Sequence, residues 1–312
     1  MRQYRHILID LNNLFWRNVC VCGKACIEDE DLSSMYSEAV QATLNKIKSL
    51  KNDYGYQDSF VYLLKDNPFS KIDERKSIDS NYKNARRSKN VPAAFHKSLE
   101  HLAEILKCYD DTYRVCSYDN CEADDLVKIV LNGIEGTVLL VSADLDWARG
   151  INFDTDWYNF VEVISAERFI ELYGFTPIGN SLKMYKAIHG DRSDSIENAV
   201  PHLPKDILID LVSKYNTVDE MMRNMWNENY PEKWKLRIKE NEVQIKINYQ
   251  LVDYLDLPLS YNQIVYNCKE NIGELRSWFG LLDLPLEPRM IDIKNDAKSF
   301  FKQKKLKRIT RY

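Results

Sequence analysis

The sequence lacks the features of several large protein classes. It contains no run of about 18 apolar residues, the length that a membrane-spanning helix requires. Its start leads directly into an apolar strand pattern rather than a signal-peptide pattern, so we expect a cytoplasmic protein with no membrane partner. The five histidines show no Ser-His-Asp spacing, which leaves no case for covalent nucleophilic catalysis.

The cysteines indicate neither a disulfide framework nor a zinc site. The chain has seven cysteines, an odd number that favours a reducing compartment over a disulfide framework. No Cys-x-x-Cys motif or neighbouring histidine completes a zinc site around Cys20, Cys22 and Cys26. We therefore interpret these residues as ordinary thiols.

The chain shows no internal repeat and no low-complexity tract. Its 312 residues are 45% apolar, which is enough for one large domain or two modest domains with real cores.

Three apolar runs in this chain each end in an aspartate. They occupy residues 6–10, 60–66 and 138–144, and they end at Asp10, Asp66 and Asp144. Each run is typical of a buried parallel strand. Ligands of open α/β sheets bind outside the carboxyl ends of the strands, so we expect one crevice to receive several acids.

Further acids follow at short spacing, and they are Glu122, Asp124, Asp125, Asp146, Asp191 and Asp194. Acids at such positions often cap turns or complement a helix N-terminus, which is the ordinary interpretation of each one alone. Nine acids in a small volume raise one another's pKa values unless cations neutralise them, and oxygen-only ligation suits Mg²⁺ or Mn²⁺. Setting these nine aside leaves 38 acidic residues against 43 basic ones, a mildly basic remainder that suits a polyanionic substrate.

The hydrophobic periodicity predicts an α/β fold with a mostly parallel central sheet flanked by helices. Strands are expected near residues 6–10, 59–65, 112–117 and 137–143, and helices near 35–51, 93–107 and 122–132. From about 179 to 256 the apolar spacing becomes helical, which indicates a helical second lobe. Trp147 is expected to be a core residue.

A polar segment at residues 67–90 separates the second predicted strand from the next helix. It carries seven basic residues and too few apolar ones to form a core face, so we expect it to be exposed, mobile or ordered only on binding. A run of this kind is usually a solvated loop. Because it leaves the sheet beside Asp66, we interpret it as a basic flap that holds a phosphate backbone.

Six motifs together resemble the 5′-nuclease, or flap endonuclease, family, particularly its phage and bacterial members. In chain order they are Ile7-Leu8-Ile9-Asp10-Leu11-Asn12-Asn13, Leu64-Lys65-Asp66, Asn81-Tyr82-Lys83-Asn84-Ala85-Arg86, Glu122-Ala123-Asp124-Asp125, Ser142-Ala143-Asp144-Leu145-Asp146 and Gly190-Asp191-Arg192-Ser193-Asp194. The resemblance covers about two thirds of the chain, and the ordered set is far more specific than any one motif.

The resemblance implies a PIN-like nuclease core over residues 1–178, with a helical arch at 67–90. It also implies a lobe over 179–297 with a helix-hairpin-helix-like element that grips duplex DNA. Independently of the resemblance, seven basic residues within 298–312 indicate a basic tail. Two Mg²⁺ ions are implied, for which Mn²⁺ is an expected substitute. The first ion would be served by Asp10, Asp66, Glu122, Asp124 and Asp144, and the second by Asp125, Asp146, Asp191 and Asp194.

The resemblance also assigns roles to basic and aromatic residues. Lys83 and Arg86 match arch residues that contact the scissile phosphate, Arg87 belongs to the same basic run, and Tyr82 matches a position near the entry of the substrate strand. The family's glycine-rich hairpin is replaced here by residues 197–205, where two prolines lack an amide donor and no glycine is present. This puts the family's K⁺ site in doubt and makes Lys205 the candidate phosphate contact.

These features predict a metal-dependent 5′-to-3′ exonuclease or flap endonuclease that acts on DNA flaps, forks or nicks and on RNA-DNA primer junctions during replication. The expected state is a monomer in the bacterial or phage-infected host cytoplasm, with a replication clamp or single-strand-binding protein as candidate partner. Two alternatives stay open: a PIN-like ribonuclease acting on RNA, and a non-catalytic branched-DNA binding protein.

Overall fold

The computed structural model describes residues 2–22, 33–67, 73–83, 93–119, 121–254 and 257–291. Within them, one seven-stranded sheet forms the centre of the fold. Its strands are β1 (Tyr4–Asp10), β2 (Gly55–Leu64), β3 (Tyr113–Cys116), β4 (Val138–Val141), β5 (Thr155–Tyr158), β6 (Val163–Ile164) and β7 (Val265–Asn267).

The sheet is mixed, with a parallel centre. Its order is β6-β5-β4-β1-β2-β3-β7, and the pairs from β5 through β3 are all parallel. The two edge strands, β6 and β7, are antiparallel to their neighbours. The α/β fold class predicted from the sequence is confirmed. The strands β5, β6 and β7 were not predicted.

Thirteen α-helices are present in the described residues. They are α1 (Leu11–Cys22), α2 (Ser33–Tyr54), α3 (Asp73–Ile78), α4 (Ala93–Lys107), α5 (Ala123–Asn132), α6 (Ala166–Tyr173), α7 (Ser181–His189), α8 (Lys205–Lys214), α9 (Val218–Asn224), α10 (Glu232–Glu240), α11 (Glu242–Leu251), α12 (Tyr261–Ile264) and α13 (Ile272–Leu281).

Strand side chains alternate between two apolar layers, as the two-residue period of a strand requires. Ile7 and Ile9 of β1 face a layer built with α1, α2, α4 and α13, whereas Leu8 faces the layer that contains α5. This second layer continues without interruption into α7, α8 and α9 of the helical lobe. Trp147 lies in it, fully buried, as the sequence predicted.

Local sequence signals explain both ends of α6. Ser165 caps α6 by accepting a hydrogen bond from the backbone N–H of Arg168, and Gly174 ends this helix with a φ of 90°. Such a left-handed conformation is the usual helix terminator and favours glycine. These two residues set the limits of α6, which connects β6 to the segment before α7.

The chain beyond the helical lobe returns to the sheet. The strand β7 pairs with β3, and α13 packs against α4, where the rings of His101 and Trp278 lie 5.3 Å apart. The sheet edge is therefore completed by residues distant in sequence. The domain limits at 178 and 297 stay predictions.

The segment at 73–83 differs from the sequence prediction of an exposed, mobile loop. Its residues form α3 and a following turn, and the side chains of Arg75, Tyr82 and Lys83 are buried. They are held by ion pairs and by a backbone contact described below, which a hydrophobicity pattern does not report. Residues 84–92 and the basic tail at 298–312 lie outside the described residues.

No helix in the described part of the chain is long and apolar enough to cross a membrane. Cys20 and Cys22 form no disulfide with another described residue, and Cys26 lies outside the described ranges.

Candidate metal centre

Three neighbouring parallel strands deliver acids to one edge of the sheet. Asp10 is the last residue of β1, and Asp66 and Asp144 follow the ends of β2 and β4. The buried carboxylate of Asp10 accepts hydrogen bonds from the backbone N–H of Asn13 at 2.9 Å and from Ser142 Oγ at 2.8 Å. These contacts fix the carboxylate at the sheet edge.

The first turn of α5 is attached to the same edge. Asp66 Oδ1 accepts a hydrogen bond from the backbone N–H of Ala123 at 2.7 Å. In the same helical turn, Asp124 Oδ1 accepts a hydrogen bond from Trp147 Nε1 at 2.5 Å. The buried indole thereby orients a carboxylate that the helix start presents to the crevice.

Two groups of three carboxylates form where these elements meet. Asp124, Asp144 and Asp146 make the first group, and Asp146, Asp191 and Asp194 make the second. Within each group, one oxygen per residue lies within 4.8 Å of the others. Because Asp146 belongs to both, the groups are adjacent, and each offers only oxygen ligands. This donor set fits Mg²⁺ or Mn²⁺.

The electrostatics of the crevice favour bound cations. Burial, followed by the neighbouring charges of Asp66 and Asp144, raises the pKa of Asp10 to about 8. Burial and the charges of Asp144, Asp10 and Asp146 raise the pKa of Asp124 well above its ordinary value. Crowded carboxylates retain protons for this reason, and a divalent cation would offset the repulsion.

Glu122 and Asp125 are engaged by cations from the segment 73–83. Lys83 Nζ lies 2.6 and 2.8 Å from the two carboxylate oxygens of Glu122. The guanidinium of Arg75 donates to Glu122 Oε2 and to Asp125 Oδ1, both at 2.9 Å, and to the carbonyl of Asp253 at 2.7 Å. Asp125 is fully buried in this pairing. Neither Asp125 nor Glu122 belongs to one of the two carboxylate groups.

The turn after α3 is attached to the second carboxylate group. The backbone N–H of Lys83 donates to the carbonyl of Asp194 at 2.8 Å, and Tyr82 lies buried with its hydroxyl 3.4 Å from Asp194 Oδ2. Lys83 holds a φ of 55°, a conformation that is uncommon for a residue with a side chain. The segment 73–83 therefore contacts the acids at the start of α5 and also Asp194 of the second carboxylate group.

Lys186 is a site residue that the sequence reasoning missed. It projects from α7, and its Nζ lies 2.5 Å from Asp146 Oδ1 and 2.7 Å from Asp191 Oδ2. Burial opposes its charged form, but Asp146, Asp191 and Asp144 more than offset this and raise the pKa of Lys186. The available signal was a lysine inside the apolar run 184–188, a position where an unpaired charge is costly.

Two other contributions were also missed. Arg75 was counted only as part of a basic run, although it is buried against two acids. The indole N–H of Trp147 was overlooked because the residue was treated only as packing. Nothing in a single sequence distinguishes these roles from ordinary charge and core positions.

The remaining predicted substrate contacts lie elsewhere. Lys205 is the exposed first residue of α8, after a hairpin in which His202 adopts a φ of 65° without glycine. Arg86 and Arg87 fall outside the described residues.

A sequence model of the family described as "5′-3′ exonuclease, N-terminal resolvase-like domain" matches residues 5–174, more than half of the chain. The chain belongs to the 5′-3′ exonuclease family. It is therefore an enzyme, a 5′ nuclease, and the family resemblance inferred from its motifs is confirmed. Comparison with curated proteins gives no match.

Solved structures share the fold of this family member. The 5′-exonuclease of bacteriophage T5 with bound zinc ions aligns with a TM-score of 0.58 and 19% identity over 80% of this chain and 89% of its own. A variant of the bacteriophage T5 flap endonuclease, in a pseudo-enzyme-product complex with DNA and metal ions, gives 0.58 and 18% over the same shares. Human GEN1 bound to Holliday junction DNA gives 0.55 and 12%, over 90% of this chain and 68% of its own.

Proposed function

We propose that this nuclease is a Mg²⁺-dependent, structure-specific 5′ nuclease that hydrolyses phosphodiester bonds of DNA flaps and RNA primers during replication. The observation that carries the proposal is the pair of carboxylate groups joined at Asp146, together with the ammonium of Lys83, which pairs with Glu122 at the start of α5. The acids provide places for metal ions, and the cation provides a contact for the phosphate between them.

The residues present fit two divalent ions. Asp124, Asp144 and Asp146 would hold one ion and Asp146, Asp191 and Asp194 the other. When bound, such ions lower the pKa of water and stabilise the attacking and leaving oxygens of an in-line displacement. The neighbouring acids outside the two groups would supply further negative charge or water-mediated contacts, and they are Asp10, Asp66, Glu122 and Asp125.

Among the described residues, Lys83 is the cation best placed to meet the phosphate. Its ammonium is buried against Glu122, and its backbone is attached at Asp194, so the cation lies at the crevice rather than in solvent. A fixed cation near a developing negative charge stabilises the transition state more than the ground state. Arg86 and Arg87 are proposed to contact further phosphates of the substrate strand, and the buried Tyr82 to hold Lys83 in place.

The decisive experiment incubates the purified protein with an end-labelled duplex that carries a 5′ flap. Cleavage is expected with Mg²⁺ and not with chelator, and Asp144→Asn is expected to abolish it because this acid belongs to the first group. Matched substrates with an RNA 5′ segment, with no flap, or entirely of RNA test the structural selectivity. Absence of cleavage in Mg²⁺, or full activity of Asp144→Asn, would refute the proposal.

Lys83→Ala separates catalysis from binding. We expect a loss of two or more orders of magnitude in single-turnover rate, on the order of the effect of one electrostatic contact to a transition state. DNA affinity should fall only modestly, because one cation is a small part of a duplex-binding surface. Lys76→Ala is the matched control, since Lys76 carries the same charge on α3 and makes no contact with the acidic crevice among the described residues. Equal losses in rate and affinity would reduce Lys83 to a binding residue.

We further propose that the enzyme acts as a monomer in the cytoplasm, with a replication clamp or single-strand-binding protein as partner. This proposal rests on the family to which the chain belongs. Sedimentation of the protein alone and with a flap duplex would test the monomer.

A further inference from the structure

Lys186 stands at the junction of the two carboxylate groups. Its ammonium makes close contacts with Asp146, which both groups share, and with Asp191, which belongs to the second group. Lys186 is 4% exposed, so solvent contributes little to stabilising its charge. Lys186 is therefore a buried, ion-paired residue of the crevice rather than a surface cation.

The position has an electrostatic consequence. The half-buried carboxylates of Asp146 and Asp191 repel each other, and one cation within hydrogen-bond distance of both offsets that repulsion. The ammonium of Lys186 occupies one oxygen of Asp146 and one of Asp191, which are two of the three acids that could hold a divalent ion at the second group. A cation of charge +2 and this ammonium repel at such short range, so the two compete for Asp146 and Asp191.

We propose that Lys186 is an internal counter-cation of the second carboxylate group. It keeps Asp146 and Asp191 together when no divalent ion is bound, and it weakens the binding of that ion until the ammonium moves aside. Lys186 is thus a positioning residue that sets how much divalent metal the enzyme needs. This inference rests on the proposed two-ion site.

The same helix provides a matched control. Lys183 lies three residues earlier on α7 and is also buried, but its ammonium pairs with Asp253, which belongs to neither group. Lys183→Met removes a buried lysine that is paired with a partly exposed aspartate, and it leaves the carboxylates of both groups unchanged. It therefore measures the cost of losing a buried lysine as such.

The test is a calorimetric titration of the metal-free protein with Mn²⁺, combined with thermal unfolding. Two Mn²⁺ ions should bind the parent protein, and Lys186→Met should tighten the weaker one on the order of tenfold. The same variant should melt at a lower temperature without metal and gain more from added Mn²⁺. Lys186→Arg should bind Mn²⁺ as the parent does, and Lys183→Met should lose stability with no change in Mn²⁺ affinity.

The results separate this inference from the function on which it rests. Unchanged or weaker Mn²⁺ binding by Lys186→Met overturns the counter-cation role, because a merely structural lysine would loosen the site when removed. Lys186→Gln, which keeps a hydrogen-bond donor without the charge, should show the same tightening and serves if the methionine variant does not fold. A parent protein that binds no Mn²⁺ would instead refute the two-ion site itself.

Discussion

Replacing Asp10 by asparagine tests whether the acidic crevice stores unfavourable charge when no metal is bound. Burial, Asp66 and Asp144 raise the pKa of Asp10 from 3.8 to about 8. At about 1.4 kcal/mol per pKa unit, ionising this carboxyl costs roughly 6 kcal/mol more in the native protein than in the unfolded chain. An asparagine side chain has nearly the same shape and no charge, so Asp10→Asn removes this cost.

The pH dependence of stability that Asp10 contributes has the opposite sign to that of an ordinary ion-paired aspartate. Between about pH 4 and 8 the native carboxyl keeps a proton that the unfolded chain releases, so the folded state loses stability as the pH rises through this range. We expect the metal-free protein to lose roughly 2 kcal/mol between about pH 6.5 and 9 through this one group. Above about pH 8, Asp10→Asn should be more stable than the parent.

The assay is urea unfolding at several pH values in the presence of chelator, repeated with saturating Mn²⁺. Staying above about pH 6.5, the ordinary value for histidine, avoids the titration of His6, whose pKa is lowered by burial. Bound metal should flatten the pH dependence of the parent, because it displaces the proton from the crevice. Equal pH dependence in the parent and Asp10→Asn, in chelator, would show that this carboxyl is not perturbed as the structure indicates.

Three further predictions concern the groups that support the site. Arg75→Met should lower the free energy of unfolding by about 3–5 kcal/mol in urea denaturation, because the fully buried Asp125 and the half-buried Glu122 lose their shared cation; a loss below about 1 kcal/mol would contradict the structure. Trp147→Phe removes the hydrogen bond to Asp124 and should weaken Mn²⁺ binding about tenfold or more by calorimetry, with Trp157→Phe as the control whose indole donates to a backbone carbonyl. Asn248→Ala should cost about 2 kcal/mol, since its buried amide donates to two backbone carbonyls, and unaltered thermal unfolding would exclude that role.

Much of the sheet could be predicted from the sequence because buried parallel strands are continuous apolar runs. The runs ending near Asp10, Asp66 and Asp144 correspond to β1, β2 and β4, which are neighbours in the sheet. The sequence analysis missed the helix α1, although its buried residues have helical spacing. These residues are Leu11, Leu14, Phe15 and Val19. The strands β6 and β7 span only two and three residues, too few for a periodicity to show.

The acidic motif at the start of α5 shows where sequence reasoning stops. Asp124 and Asp125 are adjacent and chemically identical, yet one joins the first carboxylate group and the other is buried against Arg75. Successive residues of a helix point in directions about 100° apart, so neighbours in the motif face different surroundings. Which of the two faces the crevice depends on how α5 is rotated against the sheet.

The sequence by itself determined that acids would gather at one sheet edge, because the strand period and the order of the apolar runs are local properties that any parallel sheet converts into a common edge. Only the tertiary structure decided which cation meets which acid. Arg75 and Lys186 lie 47 and 40 residues from Glu122 and Asp146 in the chain, and their partnerships depend on helix packing across the two apolar layers. A buried charge is tolerated only where that packing supplies its counter-charge, and no local pattern records such a match.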